Sequence, residues 1–402
     1  KGKLILEEKL KIPTGKREYG KKDSKQRFVF AYDEKDRDGL YIGLQSDSLK
    51  ISENQSLSIQ PQFLIQRAFL GKSESYPDSG SSITSEKVKS TATIPDLFGL
   101  EADLNGRIFE WDSNINANIS TFNTDRFFYG SRYSGSLKKD IDVYKLKGVE
   151  ANLFAAYRYR AWNGSLGESD IHTAFGGFLE KRDNFSRGKT DYSLTLRTGL
   201  GNYQAERLKS KDLTTLWKGS LFGSFEIEYP LIMFNKIDSS KSYSASSSAL
   251  PLQQGLSFNT IFSASDYYYE NGKNQASLSL SLGPRLTFGN FKAPILDFTS
   301  ISIMPGRTIK LGDSPFKFDN ANDLQKISFE LTQRLFGPLL LNGEYDINID
   351  PDSDYYLESI NSKLSVLIER RSYGFGIFYD IKNEGGGIMF RLKGFDFGAA
   401  AN

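Results

Sequence analysis

The sequence predicts an all-β protein: a large transmembrane antiparallel β-barrel of about 18–20 strands (roughly 16–26 at the limits). The barrel is expected as one domain over residues 1–397, with a short tail at 398–402. Three observations predict it. Apolar and polar residues alternate with period two along most of the chain. The alternating runs are about 10–14 residues long, against about 5–6 for a strand of a soluble domain and about 9–11 for one that crosses a bilayer at a tilt. The apolar face of these runs ends on aromatics, as at Phe69, Tyr229 and Phe288, where an interfacial girdle would need them.

Taken in chain order, the first candidate strand is KLILEEKLKIP, Lys3 to Pro13. It carries Leu4, Leu6, Leu10 and Ile12 on one face, broken by Glu8. In Ser56–Phe69, residues Leu57, Ile59, Pro61, Phe63, Ile65 and Phe69 share a face interrupted only by Arg67. Trp217 to Tyr229 and Ala276 to Phe288 repeat the pattern against lysine, serine and glutamate. Asn105-Gly106 and Asn271-Gly272 have the left-handed tolerance of tight hairpins, and Gly337-Pro338 separates two strand patterns. Stretches 72–88, 133–146, 204–213 and 236–252 are polar and predict loops. Tyr373, Phe375, Ile377 and Tyr379 form a penultimate strand face, and Gly385 to Phe397 closes the chain with Ile388, Phe390 and Leu392 on one side.

Composition removes several function classes. Lysine and arginine number 51 against 49 acidic residues, spread evenly, so no basic patch points to nucleic acid. Cysteine is absent, which removes disulfides, thiolate metal sites and thiol nucleophiles. A single histidine, His172, rules out a multi-histidine metal site, and no cofactor is expected. No stretch is long and apolar enough for a membrane helix, and the opening KGKLILEEKL has no signal-peptide h-region. Opening on lysine, the chain reads as a trimmed or processed piece.

His172 with Asp170 could form a hydrolase dyad, but a girdle or lumen histidine is the simpler reading. Asp350, Asp352 and Asp354 have calcium-like spacing, yet Pro351 intrudes and no distal Glu follows, which predicts a solvated turn. Asn163-Gly164-Ser165 matches a glycosylation triplet that carries no meaning in a bacterial barrel.

Among barrel classes, a passive porin remains open on length and composition. Strand patterning is expected almost from Leu4, which leaves no room for a plug domain in this sequence, and the (I/V)RG(F/Y) lumen motif of assembly factors is missing. Five stretches in order tip the choice: Pro95–Phe127, YRYRAWNGSLGESDIHTAFGG (Tyr157–Gly177), FTSISIMPGRTIKLGDSPFKFD (Phe298–Asp319), Leu331–Asp350 and Glu369–Phe397. Together they resemble the cyanobacterial branch of the LptD lipopolysaccharide-assembly barrels, over most of residues 55–397.

That resemblance implies a conduit rather than an enzyme. It would sit in the bacterial outer membrane and contact outer-membrane lipid. It would receive lipopolysaccharide from the periplasmic bridge proteins of the Lpt system, and a lipoprotein plug of the LptE type would fill the lumen. The cargo would leave through a lateral gate between first and last strands. The gate residues would be Leu4, Leu6, Leu10, Ile12 and Pro13 on one side, and Gly385, Gly386, Gly387, Ile388, Phe390, Leu392 and Phe397 on the other. Pro13 cannot donate to a ladder, and the glycines weaken its partner, as a lateral opening requires. The simpler reading is that these residues end strands. By alternation, Arg158, Arg160 and Glu180 would face the lumen, either contacting phosphorylated sugars or forming a solvated ladder of paired charges.

Overall fold

A computed structural model describes residues 27–33, 36–45, 48–75, 88–143, 146–233, 255–288, 298–335, 339–369, 373–380 and 385–392. The first strands are β1 (Arg27–Asp33), β2 (Gly39–Gln45), β3 (Leu49–Ser52) and β4 (Gln55–Phe63). A short helix α1 (Ile65–Leu70), a two-stranded hairpin β5 (Lys72–Ser75) and β6 (Val88–Thr91), and a 3-10 turn at Ile94–Leu97 follow. Then come β7 (Phe98–Ile108), β8 (Trp111–Ile119), β9 (Ser131–Val143), β10 (Leu146–Trp162), β11 (Glu168–Arg187), β12 (Thr190–Glu206) and β13 (Leu213–Met233). The last are β14 (Gly255–Tyr269), β15 (Asn274–Phe288), β16 (Phe298–Gly312), β17 (Gln325–Leu335), β18 (Leu339–Asn348), β19 (Ser359–Glu369), β20 (Tyr373–Asp380) and β21 (Gly385–Leu392).

Each strand pairs antiparallel with its neighbour, and β21 pairs back onto β1, so the sheet closes into an 18-strand barrel. β3 continues the line of β2 along β4 and adds no separate stave. Closure removes the exposed sheet edges that a bilayer would not tolerate.

The period-two pattern explains the wall. On β13 and β15 the face holding Trp217, Leu221 and Tyr229, and Leu278, Leu280 and Leu282, is exposed to the outside. The intervening lysine, serines and threonine point inward. Outward aromatics gather in two groups. Phe185, Tyr192 and Phe225 stack near one end, with ring centroids 5.0 and 5.9 Å apart. Tyr133 with Tyr157 and Phe175 with Trp217 pair near the other. Along β11 the girdle residues Phe175 and Phe185 lie ten positions apart, which at about 3.3 Å per residue and a usual tilt spans about 25 Å, the height of an apolar band.

β1 starts and β21 ends at the barrel end that carries the tight turns Phe109-Glu110 and Gly188-Lys189 and the connections 234–254 and 289–297. The opposite end carries long connections, including 64–97, 120–130, 313–324 and 349–358.

Several expectations are corrected. The alternating run 56–69 is not one strand. It stops at Phe63, and Ile65–Leu70 coil into α1 because Arg67 is drawn into a buried polar site. The predicted loop 133–146 is largely strand β9, whose lysines and aspartates face inward or lie at the rim. Asn105-Gly106 stays within β7, and the chain turns at Phe109-Glu110 instead. The strand paired with Gly385–Leu392 is Arg27–Asp33, not Lys3–Pro13. Leu4, Leu6, Leu10, Ile12, Pro13 and Phe397 lie outside the described residues, as do stretch 236–252 and Gly337-Pro338. Asn271-Gly272 does form the expected turn, with Gly272 at φ 79°.

Candidate functional site

Two features of the barrel are unlike a plain tube: the crossed mouth at the long-loop end and the glycine-rich seam where the sheet closes.

The mouth is crossed by the tip of the β10–β11 hairpin. Arg158 adopts φ 51°, which breaks the strand alternation there. Beyond it Tyr159 and Ala161 turn into an apolar cluster with Ile171, Ala174, Ala205 and Tyr269. Arg160 turns to the other side, where its guanidinium pairs with Asp36 at 3.0 Å and Glu168 at 2.7 Å. Asp36 belongs to the β1–β2 turn, six staves away around the wall. Arg132, at the start of β9, also binds Asp36 at 3.0 Å and donates to the Arg158 carbonyl at 2.6 Å. Burial alone would push the Asp36 carboxyl up, but Arg132, Arg160 and Arg37 outweigh it and hold the group well below the ordinary carboxylate range. At the hairpin tip the Trp162 indole donates to the Ile360 carbonyl on β19 at 2.8 Å, nine staves away. The hairpin is therefore a strut across the mouth.

Segment 313–324, between β16 and β17, folds inward against this strut. Phe316 is fully buried and rests on Tyr203 and Tyr269, with Phe318 5.2 Å away. The Lys218 ammonium, on the inner face of β13, sits 3.8 Å from the Tyr267 ring centroid and pairs with Asp319 at 2.5 Å. The Gln275 amide donates to the Asp319 carbonyl at 3.0 Å and accepts from the Ser314 and Ala321 N–H groups. Asn163 donates to the carbonyls of Lys317 and Asn320 at 2.6 and 2.8 Å. Asp323 accepts from the Ser165 N–H at 3.0 Å and from Asn348 at 2.9 Å. Thus WNGSLGES and SPFKFD, far apart in sequence, form one hydrogen-bonded unit in the mouth. Gly164 is required there: its φ is 53°, and a Cβ would lie 1.8 Å from Asp323 Oδ2.

Among the described residues β1 and β21 have 7 and 8 residues, against 20 and 21 for β11 and β13. Seven pairs join β1 to β21, from Arg27 with Arg391 to Asp33 with Gly385. Gly385, Gly386 and Gly387 oppose Asp33, Tyr32 and Ala31. A Cβ on Gly387 would meet the Phe30 carbonyl at 2.5 Å, so this contact needs glycine. Ile388 and Phe30 point outward. Leu392 pairs with Tyr373 on β20. Next to this seam, β2 and β4 share two pairs, Ile42 with Phe63 and Gly43 with Gln62. Gln60 is 3% exposed beside Gly43, and its amide has no hydrogen-bond partner among the described residues.

Glu180 lies on the inner face of β11, buried between Arg182 at 2.5 Å and Arg197. This is the paired-charge arrangement. His172 packs its ring edge to Tyr157 at 5.6 Å, while Asp170 lies 3.9 Å from Arg132. Asp350 and Asp352 belong to a hydrogen-bonded turn in which the Asp350 carboxylate accepts from the Asp352 N–H. No cluster of candidate metal ligands is present among the described residues.

A family model described as "Protein of unknown function (DUF3769)" matches residues 1–396. No curated protein matches the chain. Among solved structures, the anion-selective porin from Comamonas acidovorans aligns over 92% of this chain and 98% of its own, at 10% identity and a TM-score of 0.32. CdiB from Acinetobacter baumannii aligns over 92% of this chain and 60% of its own, at 9% identity and a TM-score of 0.34. The FrpB iron transporter from Neisseria meningitidis aligns over 90% and 62%, at 8% identity and a TM-score of 0.35.

Proposed function

The chain belongs to the DUF3769 family, and from that premise we propose that it is an outer-membrane translocon that inserts lipopolysaccharide into the outer leaflet through the side of its wall. It acts as a conduit, not an enzyme. The end at which β1 starts and β21 ends faces the periplasm, where bridge proteins of the Lpt type would deliver the cargo. The observation that carries this reading is the crossed mouth. A passive porin works by keeping its lumen open to the outside, whereas here a strut and an inward-folded segment are bonded across the outer end. With that end obstructed, the β1–β21 seam, where Gly385, Gly386 and Gly387 face β1, is the route that costs least to open. The resemblance of WNGSLGES and SPFKFD to LptD-type segments supports the same reading, since those segments build the obstruction.

Photocrosslinking tests it. A photoreactive residue replaces Phe30 or Ile388 at the outer face of the seam, with Leu280 and Phe225 as outward controls. The expected result is a lipopolysaccharide adduct at the seam positions, absent at the controls and lost when the periplasmic bridge is depleted. Equal labelling at all four positions would favour the porin.

A further inference from the structure

The rim above β2 and β4 is built with its polar groups inside and its apolar groups outside. Arg67 of α1 is 2% exposed and bonds Asp38 at 2.6 Å, the Asp96 carbonyl at 3.0 Å, the Asp36 carbonyl at 2.8 Å and the Ser120 carbonyl. Asp96 is fully buried and accepts from Thr93, Thr121, Asn123 and Arg126. These bonds lock α1, the 3-10 turn and segment 120–130 into one platform. Its apolar side chains are left out: Phe69 is 85% exposed, Ile94 75%, Phe128 66% and Leu70 62%. A loop unit surrounded by water would have the reverse arrangement.

The exposed side chains continue the outward belt of the barrel. Phe63 and Phe98 lie on that belt with rings 5.8 Å apart, and α1 begins two residues after Phe63. The Gln66 side chain accepts from the N–H of Leu40, another outward residue, at 3.2 Å. The Phe128 carbonyl accepts from the hydroxyl of Tyr157, which belongs to the outward aromatic girdle.

We propose that this platform is a lipid-docking surface, seating Phe69, Leu70, Ile94 and Phe128 at the headgroup–acyl boundary of the bilayer leaflet at the long-loop end. Its occupant is bilayer lipid because the surface runs without a break into the face that lipid already covers. The docking does not depend on the cargo proposed above. It would hold equally in a porin.

The chain has no cysteine, so single nitroxide labels report cleanly. Labels at Phe69→Cys, Ile94→Cys and Phe128→Cys, one at a time, go into the folded barrel in phosphatidylcholine–phosphatidylglycerol vesicles. Leu280→Cys gives the lipid reference and the exposed loop position Lys211→Cys the aqueous one. Power saturation compares oxygen with a water-soluble nickel chelate. The expected result is a ratio several-fold above that of Lys211→Cys at all three platform positions. Adding Arg67→Met should lower the ratio at Phe69→Cys and leave Leu280→Cys unchanged. A ratio equal to that of Lys211→Cys would overturn the proposal. So would exclusion of both reagents, which would mean cover by protein instead of lipid.

Discussion

Arg67 shows how one residue can redirect an element. In the alternating run it is the single polar intruder on an apolar face, and the strand ends four residues before it. A guanidinium has five donors, and the three carbonyls and one carboxylate around it outweigh one more turn of ladder pairing. Arg67→Ala leaves those acceptors buried and unpaired and should cost about 3–5 kcal/mol. The loss should be local, read as faster amide exchange at 64–71 and 120–123. Asp96 adds a pH dependence. Burial raises its carboxyl, but hydrogen bonds from Thr121, Thr93 and Asn123 prevail and bring it down to about 2, against about 3.9 for an ordinary aspartate. Because the folded value is the lower one, its stabilising contribution is complete above about pH 4 and is lost as pH falls towards 2. Nitroxide mobility at the rim should rise over that window and stay flat from pH 5 to 8. Gln60 works in the opposite sense: replacing its unpartnered amide by leucine should stabilise the β2–β4 junction by about 1–3 kcal/mol, measured as a higher urea midpoint.

At the scale of elements, β13 and β15 were legible because each strand has one face in lipid and one in the lumen, and period two is the direct imprint of that division. The strut and the inward segment were not legible. WNGSLGES and SPFKFD have no periodicity, and their partners lie about 150 residues away, at separations such as Asn163 to Lys317. Only the resemblance marked them. Arg158 and Arg160 share a face by alternation, but a single left-handed residue sends Arg160 to Asp36, a turn no local pattern connects to it. The partner of the last strand is not legible for a related reason: several amphipathic segments near the start could satisfy it, and register alone chooses Arg27–Asp33 among them. The strut has a measurable consequence. Gly164→Val forces a Cβ onto Asp323 and strains a residue at φ 53°, which should release segment 313–324. Single-channel conductance in planar bilayers should rise clearly above that of the unmodified barrel. Unchanged conductance would mean that the segment does not obstruct the lumen.

For the whole molecule, the outward belt sets the energetics. Leu280→Arg places a charge near the middle of the apolar band and should cost about 2–4 kcal/mol, whereas Ser279→Arg, one residue along and facing the lumen, should be close to neutral. Refolding equilibria into bilayers measure both. Among the described residues, strands of 17–21 residues make up β10 to β13, on the side of the barrel away from the β1–β21 seam.

The most direct test locks the proposed route. Phe30 and Ile388 stand opposite one another in the β1–β21 register, both facing outward. The double variant Phe30→Cys with Ile388→Cys can be oxidised to a disulfide in a chain that has no other cysteine. Phe262→Cys with Leu280→Cys provides the same bond between β14 and β15. Delivery of newly made lipopolysaccharide to the cell surface should stop when the seam is oxidised, resume on reduction and be unaffected by the control bond. Continued delivery through a fully oxidised seam would contradict passage between the first and last strands of the barrel.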